Sequence, residues 1–310
     1  MRELVRYLFK MFCMAVAVSA SFLVLFGFLL FGMDHRADSL AGTTHHKIDL
    51  LQQTESPRIV LVGGSSSPYG TNCQMIIDAL GVPTINVGAT VYQGLDFYLA
   101  MLETYAVKGD IIVFAPEQQM LRQGIINYEL VWSSAGDDWD VWRFMPLSYY
   151  PGLFTTGMQY YNSMKKLEEE GVVVLDYHRQ FGPLGDVVEQ RTNIMPDGYR
   201  TEDPISLAPA EFSKQNLKKI ERFVEKMQKR GVTVLYAFAP LNEKAVVSDS
   251  QQIAAFEQMV AGAVQAPVVL SMDCALMEAE YFYDTNNHLN TAGAAIYTQK
   301  LIEGLRPYIQ

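Results

Sequence analysis

An uncharged apolar segment near the N-terminus sets the strongest limit on how this chain folds. Residues 11–33 read MFCMAVAVSASFLVLFGFLLFGM and contain no charged side chain. About 20 apolar residues are enough for a helix to cross the hydrocarbon layer of a bilayer. The apolar region of a cleaved signal peptide is shorter, about 7–15 residues, and ends in a small-x-small site. Residues 33–36 are Met-Asp-His-Arg instead, so we predict a retained transmembrane helix and keep a cleaved signal peptide as the alternative.

The charges before this segment predict its orientation. The first ten residues hold three basic side chains against one acidic side chain, namely Arg2, Arg6, Lys10 and Glu3. Cytoplasmic flanks of membrane helices are enriched in Lys and Arg. We therefore expect a cytoplasmic N-terminus over residues 1–10, a polar stalk over residues 34–57 and a periplasmic or extracellular domain over residues 58–310. The lipid bilayer is then the first predicted partner, through residues 11–33.

Composition narrows the class of the exterior domain. Hydrophobic residues make up 49% of the 310 residues, which is enough for a large core and disfavours disorder. The formal net charge of −10 argues against a nucleic-acid partner, because binding to phosphates requires a basic surface. The cysteines Cys13, Cys73 and Cys274 form no CxxC pair, so we expect no metal site and no cofactor. An oxidising compartment would permit a Cys73–Cys274 bridge, which the sequence leaves open.

Short apolar runs alternate with helical stretches over most of the exterior domain. The predicted strands cover residues 58–62, 83–87, 110–114, 232–238 and 267–271. The predicted helices cover residues 72–80, 94–107, 212–230, 254–263 and 291–305. Continuous apolar strands separated by helices are typical of a parallel sheet covered on both faces. The sequence therefore predicts an α/β fold of the flavodoxin-like, three-layer kind, whose reactive site lies beyond the carboxyl ends of the strands.

Residues 119–205 interrupt this alternation and are rich in aromatic side chains. Aromatic rings mostly bury area, so we expect an insertion that packs a small core of its own or leans on the membrane surface. A lid whose rings stack on sugar is the alternative.

A Gly/Ser segment follows the first predicted strand, and a histidine loop precedes the last predicted helix. Residues 63–70 read GGSSSPYG, and a serine at such a strand-to-helix turn faces solvent near the N–H groups of the helix start. A serine hydroxyl needs a base to become a nucleophile, and the usual base is a histidine oriented by a carboxylate. Among five histidines, His288 alone sits at a predicted strand-end loop with a nearby acid, and His178 is the competitor.

Four motifs, in this order, resemble a known superfamily. They are GGSSSPYG at residues 63–70, NVG at 86–88, GDIIVFAPEQ at 109–118 and YFYDTNNHLNTAG at 281–293. Together they are similar to the SGNH (GDSL-like) hydrolases, and more closely to membrane-anchored SGNH-like proteins of bacterial envelope polysaccharide clusters. The resemblance covers about residues 58–305, apart from the insertion.

The resemblance implies a role for each matching residue. Ser65 would be the nucleophile, His288 the general base and Asp284 the carboxylate that orients the histidine. The backbone N–H groups of Ser65 and Gly88 would help to bind the oxyanion, and such donors can each contribute roughly 10²–10³ in rate. Ser66 also satisfies a Gly-x-Ser pattern and stays the alternative nucleophile, although Ser65 directly follows the strand-ending glycines.

Two positions depart from the pattern of the superfamily. The asparagine that normally completes the oxyanion hole is replaced by Pro116-Glu117-Gln118, which makes Gln118 the expected substitute donor. The acid normally lies three residues before the histidine, whereas Asp284 lies four before His288 and Thr285 holds the usual position. The loop must therefore bulge for Asp284 to reach the ring.

Two functions of different classes follow. The first is a membrane-anchored serine esterase or O-acyltransferase that acts on acyl esters, with an acylated envelope or secreted glycan as substrate. The second is a catalytically inactive scaffold or binding partner in an envelope glycan assembly complex, favoured by the missing asparagine. Nucleotide binding has little support, because residues 63–70 hold neither GxGxxG nor a P-loop lysine.

Overall fold

The computed structural model of the chain describes residues 2–30, 40–136, 138–170 and 181–309. Within these residues the helices are α1 (Arg2–Leu30), α2 (Thr44–Gln53), α3 (Ser66–Gly70), α4 (Cys73–Leu80), α5 (Leu95–Tyr105), α6 (Tyr128–Ala135), α7 (Trp139–Trp142), α8 (Tyr150–Glu169), α9 (Lys214–Lys229), α10 (Ser250–Val264), α11 (Met272–Ala275) and α12 (Thr291–Leu305). The strands are β1 (Ile59–Gly63), β2 (Thr84–Asn86), β3 (Ile111–Ala115), β4 (Thr233–Ala237), β5 (Leu241–Asn242), β6 (Val268–Leu270) and β7 (Leu276–Met277).

Five of these strands form one parallel sheet in the order β2-β1-β3-β4-β6. Counted among themselves along the chain, they follow the order 2-1-3-4-5, which is found in flavodoxin-like doubly wound sheets. All five residues of β1 are buried, as expected for a strand covered on both faces. β5 and β7 form a separate two-stranded parallel sheet. The prediction of an α/β fold with a parallel sheet is confirmed.

The helices pack on the sheet in two groups. In the first group α4 contacts β2, α12 contacts β6, and the two helices contact each other. In the second group α2 contacts β2 and α5, while α9 contacts α5 and β4. Ile220, Phe223 and Met227 lie at helical spacing on α9 and are almost fully buried, and the ring of Phe223 lies 6.4 Å from that of Phe114 in β3. The amphipathic pattern of α9 thus places its apolar face against the sheet.

Capping residues explain where two of the helices begin. The last helix covers the predicted range Thr291–Leu305, and the side chain of Asn290 caps it by accepting a backbone N–H. α10 is longer than predicted and begins at Ser250. Its start is set by a capping box, in which Asp249 and Gln252 each accept the backbone N–H of the other.

The structure differs from the predicted stalk over residues 34–57. Residues 44–53 form α2, in which Lys47, Ile48 and Leu51 are buried. The three apolar side chains of α2 stand among polar neighbours and gave a weak periodic signal, yet Ile48 and Leu51 belong to the same core as the sheet. This stretch is therefore part of the α/β domain and not a solvated linker.

The N-terminal helix α1 contains most of the predicted membrane segment. Arg2–Ser21 has a mean hydropathy of 1.5 and is not buried against the rest of the described chain. Among the described residues, it is the one helix long and apolar enough to cross a membrane by length and composition. Residues 31–33 of the predicted segment lie outside the described residues.

The aromatic insertion is built on α6, α7 and α8. α6 contacts both α7 and α8, and α6 and α7 pack against the segment at residues 40–53. Trp132, Tyr149 and Tyr160 are buried. The ring of Phe144 lies 5.1 Å from that of Phe97 in α5. The expectation of a separate small core is corrected by these contacts, because the insertion extends the core of the sheet domain.

Candidate functional site

The carboxyl ends of the strands bring the predicted site residues to one edge of the sheet. Ser65, Gly88 and Glu117 follow the last residues of β1, β2 and β3, each by two positions. His288 lies in the loop before α12. Its neighbour Asn287 donates from Nδ2 to a backbone carbonyl in the loop after β4, at 3.1 Å. The histidine loop is thus attached to the same edge as the serine loop.

Gly64 allows the loop after β1 to lie directly against the loop after β3. A Cβ atom at this position would stand 2.4 Å from Oε1 of Glu117 and 2.4 Å from Cγ1 of Val91. Both distances are far below van der Waals contact. The second glycine of the GGSSSPYG motif is therefore required by the close approach of Glu117 to the serines.

Ser65 and Ser66 differ in their access to solvent. Ser65 is half-buried at the start of α3, and its Oγ lies 3.4 Å from Oε1 of Glu117. Ser66 is 1% exposed, and its hydroxyl finds no hydrogen-bond partner among the described residues. It lines a void of about 10 Å³ beside Tyr297 and Leu301. The geometry therefore favours Ser65 as the serine that a substrate reaches.

Asp284 and His288 form a hydrogen-bonded pair. Nδ1 of the imidazole lies 2.8 Å from Oδ1 of Asp284, whose side chain is 48% exposed. The loop between them is bulged, since the hydroxyl of Thr285 accepts the N–H groups of Asn287 at 3.3 Å and His288 at 3.0 Å. With Nδ1 held by the carboxylate, Nε2 is the nitrogen left for acid–base work.

Tyr69 joins the histidine loop to the helix that follows Ser65. Its ring lies flat on the ring of His288, with centroids 4.1 Å apart and planes at 6°. Its N–H donates to the carbonyl of Ser65 at 3.2 Å. Arg191, which is buried, lies over the Tyr69 ring at 5.3 Å and donates to the Tyr69 carbonyl at 3.2 Å. Sequence reasoning missed both residues, because Arg191 is 122 positions away from Tyr69.

Glu117 is the acidic group nearest to the serines. It is 2% exposed, and Oε1 accepts the backbone N–H of Ser66 at 2.7 Å. Burial raises the pKa of Glu117, while the N–H of Ser66 and the charge of His288 oppose the rise. An ionised carboxylate at this position repels a developing oxyanion, whereas a protonated carboxyl is able to donate a hydrogen bond to it.

Two of the three predicted oxyanion donors, Gly88 and Gln118, have other hydrogen-bond contacts. The N–H of Gly88 donates to Oδ1 of Asn86 at 2.9 Å, so an oxyanion role for Gly88 requires that this hydrogen bond be shared. Gln118 is buried, and its Oε1 lies 3.5 Å from Nδ2 of Asn287. The side chain of Gln118 thus faces the histidine loop. The role of Gln118 as the substitute oxyanion donor stays a prediction, and the side chain of this loop that contacts Ser65 is Glu117.

The remaining candidates lie away from this edge or outside the described residues. Cys73 and Cys274 are both free. The N–H of the buried Cys73 donates to Asp186 at 3.0 Å, whereas Cys274 lies in α11. His178 falls within residues 171–180, which lie outside the described residues. In the described part of the chain, no cluster of three or more His, Cys, Asp or Glu side chains suits a metal ion.

Comparison with known proteins assigns no family. No protein-family model matches the chain, and no curated protein matches it significantly. The resemblance to SGNH hydrolases therefore remains a prediction from four motifs. The candidate site itself consists of an accessible serine, a carboxylate-bound histidine stacked on the serine helix, and a buried glutamate in contact with the serine.

Proposed function

We propose that this chain is a membrane-anchored serine esterase or O-acyltransferase of the SGNH kind. The observation that supports this function most is the Asp284–His288 pair at 2.8 Å, stacked on Tyr69 of the helix that begins beside Ser65. Nucleophilic acyl transfer by a serine requires an accessible hydroxyl and an imidazole held by a carboxylate, and this edge of the sheet carries both. An acylated envelope or secreted glycan as the substrate class follows from the motif resemblance alone.

In this proposal α1 is the membrane anchor. Its length and hydropathy suit a transmembrane helix, and the basic residues before it favour a cytoplasmic N-terminus. The α/β domain then lies on the periplasmic or extracellular side, where envelope glycans are exposed.

The reaction proceeds in two halves. Oγ of Ser65 attacks the ester carbonyl and gives its proton to Nε2 of His288, while Asp284 stabilises the imidazolium that forms. The C–O bond to the leaving alcohol breaks, and the alcohol takes the proton from Nε2. Water or a sugar hydroxyl then gives its proton to Nε2 of His288 and attacks the acyl-enzyme, after which the bond between the acyl carbon and Oγ of Ser65 breaks and Oγ takes the proton back from Nε2. Transfer to a sugar prevails over hydrolysis only where water is excluded from the site.

The mechanism needs a hydrogen bond between Ser65 and His288, whereas the hydroxyl of Ser65 is turned toward Glu117 in the described geometry. The hydroxyl of Ser65 donates to Glu117 at 3.4 Å, which is a long and weak hydrogen bond. A half-buried serine changes its χ1 rotamer at low cost. Catalytic hydrogen bonds are often loose without substrate and tighten when substrate binds.

Glu117 also supports a second candidate function. A carboxylate beside Ser65, in place of an asparagine donor, favours the catalytically inactive scaffold in an envelope glycan assembly complex. The two functions differ in one respect that is measurable, because only the enzyme contains an activated Ser65.

Ester hydrolysis by the full-length protein in detergent tests the enzyme directly, with para-nitrophenyl acetate as the ester. Ser65→Ala is expected to reduce the rate by about 10³-fold or more, because the nucleophile is lost. Ser66→Ala is the matched control. Its hydroxyl is buried and finds no partner among the described residues, so we expect an unchanged rate and an unchanged or slightly higher stability. Equal rates for wild type and Ser65→Ala would overturn the enzyme and favour the scaffold.

Glu117→Gln is expected to raise the rate of acyl transfer in a manner that depends on pH. The amide has no charge to repel the oxyanion, and its N–H₂ group adds a donor, so we expect a gain of about tenfold or more where wild-type Glu117 is ionised. At lower pH the wild-type carboxyl is protonated and the gain shrinks. The ratio of the two rates should therefore rise with pH and then level off above the raised pKa of Glu117.

The free energy of unfolding of wild type and of Glu117→Gln, measured against pH, tests the protonation state of Glu117. Below its ordinary pKa of 4.5, the carboxyl is protonated in the folded and the unfolded chain. Above 4.5 the unfolded chain releases this proton first, so this group lowers the free energy of unfolding as pH rises, until the folded carboxyl also ionises. Glu117→Gln should remove that decline.

The rate measurement has a contradicting outcome. If Glu117→Gln lowered the rate of acyl transfer at every pH, Glu117 would assist the reaction as a base.

A further inference from the structure

Five large apolar side chains of the insertion are exposed. The exposed fractions are 78% for Trp139, 86% for Leu147, 44% for Tyr150, 59% for Phe154 and 48% for Met158. We call these residues the outer patch.

The outer patch follows the outward side of α8. Tyr150, Phe154 and Met158 are spaced by four residues and share one helix face, whereas Leu153 and Tyr160 on the opposite face are buried. The elements beside α8 extend the patch. Leu147 lies in the turn directly before α8, and Trp139 begins α7. The ring of Trp142, at the other end of α7, lies 6.3 Å from that of Tyr150.

The sequence of this region is unusual for a helix that faces water. Residues 144–164 (FMPLSYYPGLFTTGMQYYNSM) contain no charged side chain, whereas the outer face of a water-exposed helix is normally charged. Arg143 precedes this stretch, and Lys165 and Lys166 follow it. Trp and Tyr side chains are enriched at the interface of a bilayer, and Lys and Arg at its edge reach toward the headgroups. This composition suits the boundary between headgroups and acyl chains.

The connection to α1 places the outer patch near the membrane. Ten peptide steps separate Leu30 at the end of α1 from Leu40, and they span at most about 36 Å. The chain from Leu40 onward packs against α6 and α7, and His45 of α2 is hydrogen-bonded to Asp138, the neighbour of Trp139. The corner of the domain that is tied to the anchor is therefore the corner that carries the outer patch.

We propose that the outer patch docks on the surface of the lipid bilayer, so that the domain is held at the membrane by α1 and by the insertion together. This inference rests on the membrane anchor of the proposed function and is independent of its chemistry. A second copy of the chain or a glycan would also suit exposed aromatic rings. The short connection to α1 favours the bilayer, because it keeps the lipid surface within reach of the patch in every copy.

Tryptophan fluorescence of the full-length protein in nanodiscs tests the docking. The chain has three tryptophans, Trp132, Trp139 and Trp142, and Trp139 is the most exposed of them. Nanodiscs are prepared with ordinary phosphatidylcholine or with phosphatidylcholine brominated near the headgroup end of its acyl chains. Bromine in contact with Trp139 should quench the fluorescence of that residue. The total tryptophan emission should therefore fall by no more than the contribution of one of the three tryptophans. Trp139→Phe should abolish that quenching.

Two double variants show whether the outer patch is responsible. Leu147→Glu/Met158→Glu should abolish the quenching, because carboxylates at these positions oppose insertion into lipid. Ile194→Glu/Val247→Glu adds the same charge at two exposed apolar positions on other loops, and it should retain the quenching. Both doubles should hydrolyse ester in detergent at the wild-type rate, which separates a failure of docking from a failure of the chemistry.

Four results would overturn the inference. Release of the chain from the discs by alkaline carbonate would remove the anchor and the docking with it. Contact between the outer patch and lipid would be excluded if brominated lipid did not quench the wild type. It would also be excluded if Leu147→Glu/Met158→Glu were quenched as strongly as the wild type. Efficient disulfide cross-linking of Leu147→Cys between two copies in one disc would assign the outer patch to a dimer instead.

Discussion

Replacing His288 by alanine is expected to lower the rate of acyl transfer about 10⁴- to 10⁶-fold, since the proposed reaction loses the base that accepts the proton of Ser65. Nδ1 of this histidine is held by Asp284 at 2.8 Å, and its ring is fixed in plane by Tyr69. The measurement is ester hydrolysis by the full-length protein in detergent. His45→Ala is the matched control, because His45 lies in α2 and bonds to Asp138 of the insertion.

Asp284→Asn should give a smaller loss at the same site. A buried triad carboxylate contributes up to about 10⁴ in rate, but the side chain of Asp284 is 48% exposed and water partly replaces it, so we expect about 10²- to 10³-fold. We expect the largest loss of rate for His288→Ala, a smaller loss for Asp284→Asn and no loss for His45→Ala. A His288→Ala protein that keeps wild-type activity would remove His288 from the mechanism.

Replacing Arg58 by methionine is expected to reduce the free energy of unfolding by about 3–5 kcal/mol, because it leaves the carboxylate of Asp110 buried without its counter-charge. Arg58 is 1% exposed and Asp110 is fully buried. Nε and Nη2 of Arg58 donate to the two carboxylate oxygens of Asp110 at 3.2 and 3.1 Å. Its remaining hydrogen bonds go to the carbonyls of Leu51, Thr54 and Tyr105.

Thermal unfolding of the full-length protein in detergent measures this loss, which corresponds to a fall of about 10 °C in Tm for a domain of this size. Lys226→Met is the control, since it breaks a surface ion pair with Glu103 and should change stability by less than about 1 kcal/mol. The double variant Arg58→Met/Asp110→Leu should recover part of the loss, because both charges leave the core. Equal effects of Arg58→Met and Lys226→Met would contradict the buried pair.

The sheet was predictable because its strands are short apolar runs bounded by turn residues. The five predicted strands of the parallel sheet are present, and the last helix covers its predicted range, because Asn290 supplies a strong cap at its start. These signals are local in sequence. The positions of Ser65 and His288 at one edge also followed from local signals, through the rule that parallel strands present their carboxyl ends together.

Contacts between distant segments were not predictable. Lys47 appeared to belong to a polar stalk, yet it is 1% exposed, donates to the carbonyl of Gly185 and lies 4.3 Å from the centre of the Phe181 ring. Burial lowers the pKa of Lys47 to about 7, against the attraction of Asp186. Gly185 is 138 positions away from Lys47 and the other two partners are its near neighbours in sequence, so no window of sequence shows these contacts.

The site was predictable only in part for the same reason. The spacing of Asp284 and His288 shows that a pair is feasible, and Thr285 provides the bulge that completes it. The contact of Glu117 with Ser65 depends instead on the tight approach of two loops at Gly64. That approach exists only once β1 and β3 pair side by side.

Covalent labelling of the full-length protein with a fluorophosphonate probe measures most directly whether Ser65 is an activated nucleophile. Mass spectrometry of the labelled peptide locates the adduct in wild type, Ser65→Ala and Ser66→Ala. We predict an adduct on Ser65 in wild type and in Ser66→Ala, and none in Ser65→Ala. Folded protein without any adduct would contradict the proposed enzyme and favour the scaffold, whereas an adduct on Ser66 would contradict the assignment of Ser65.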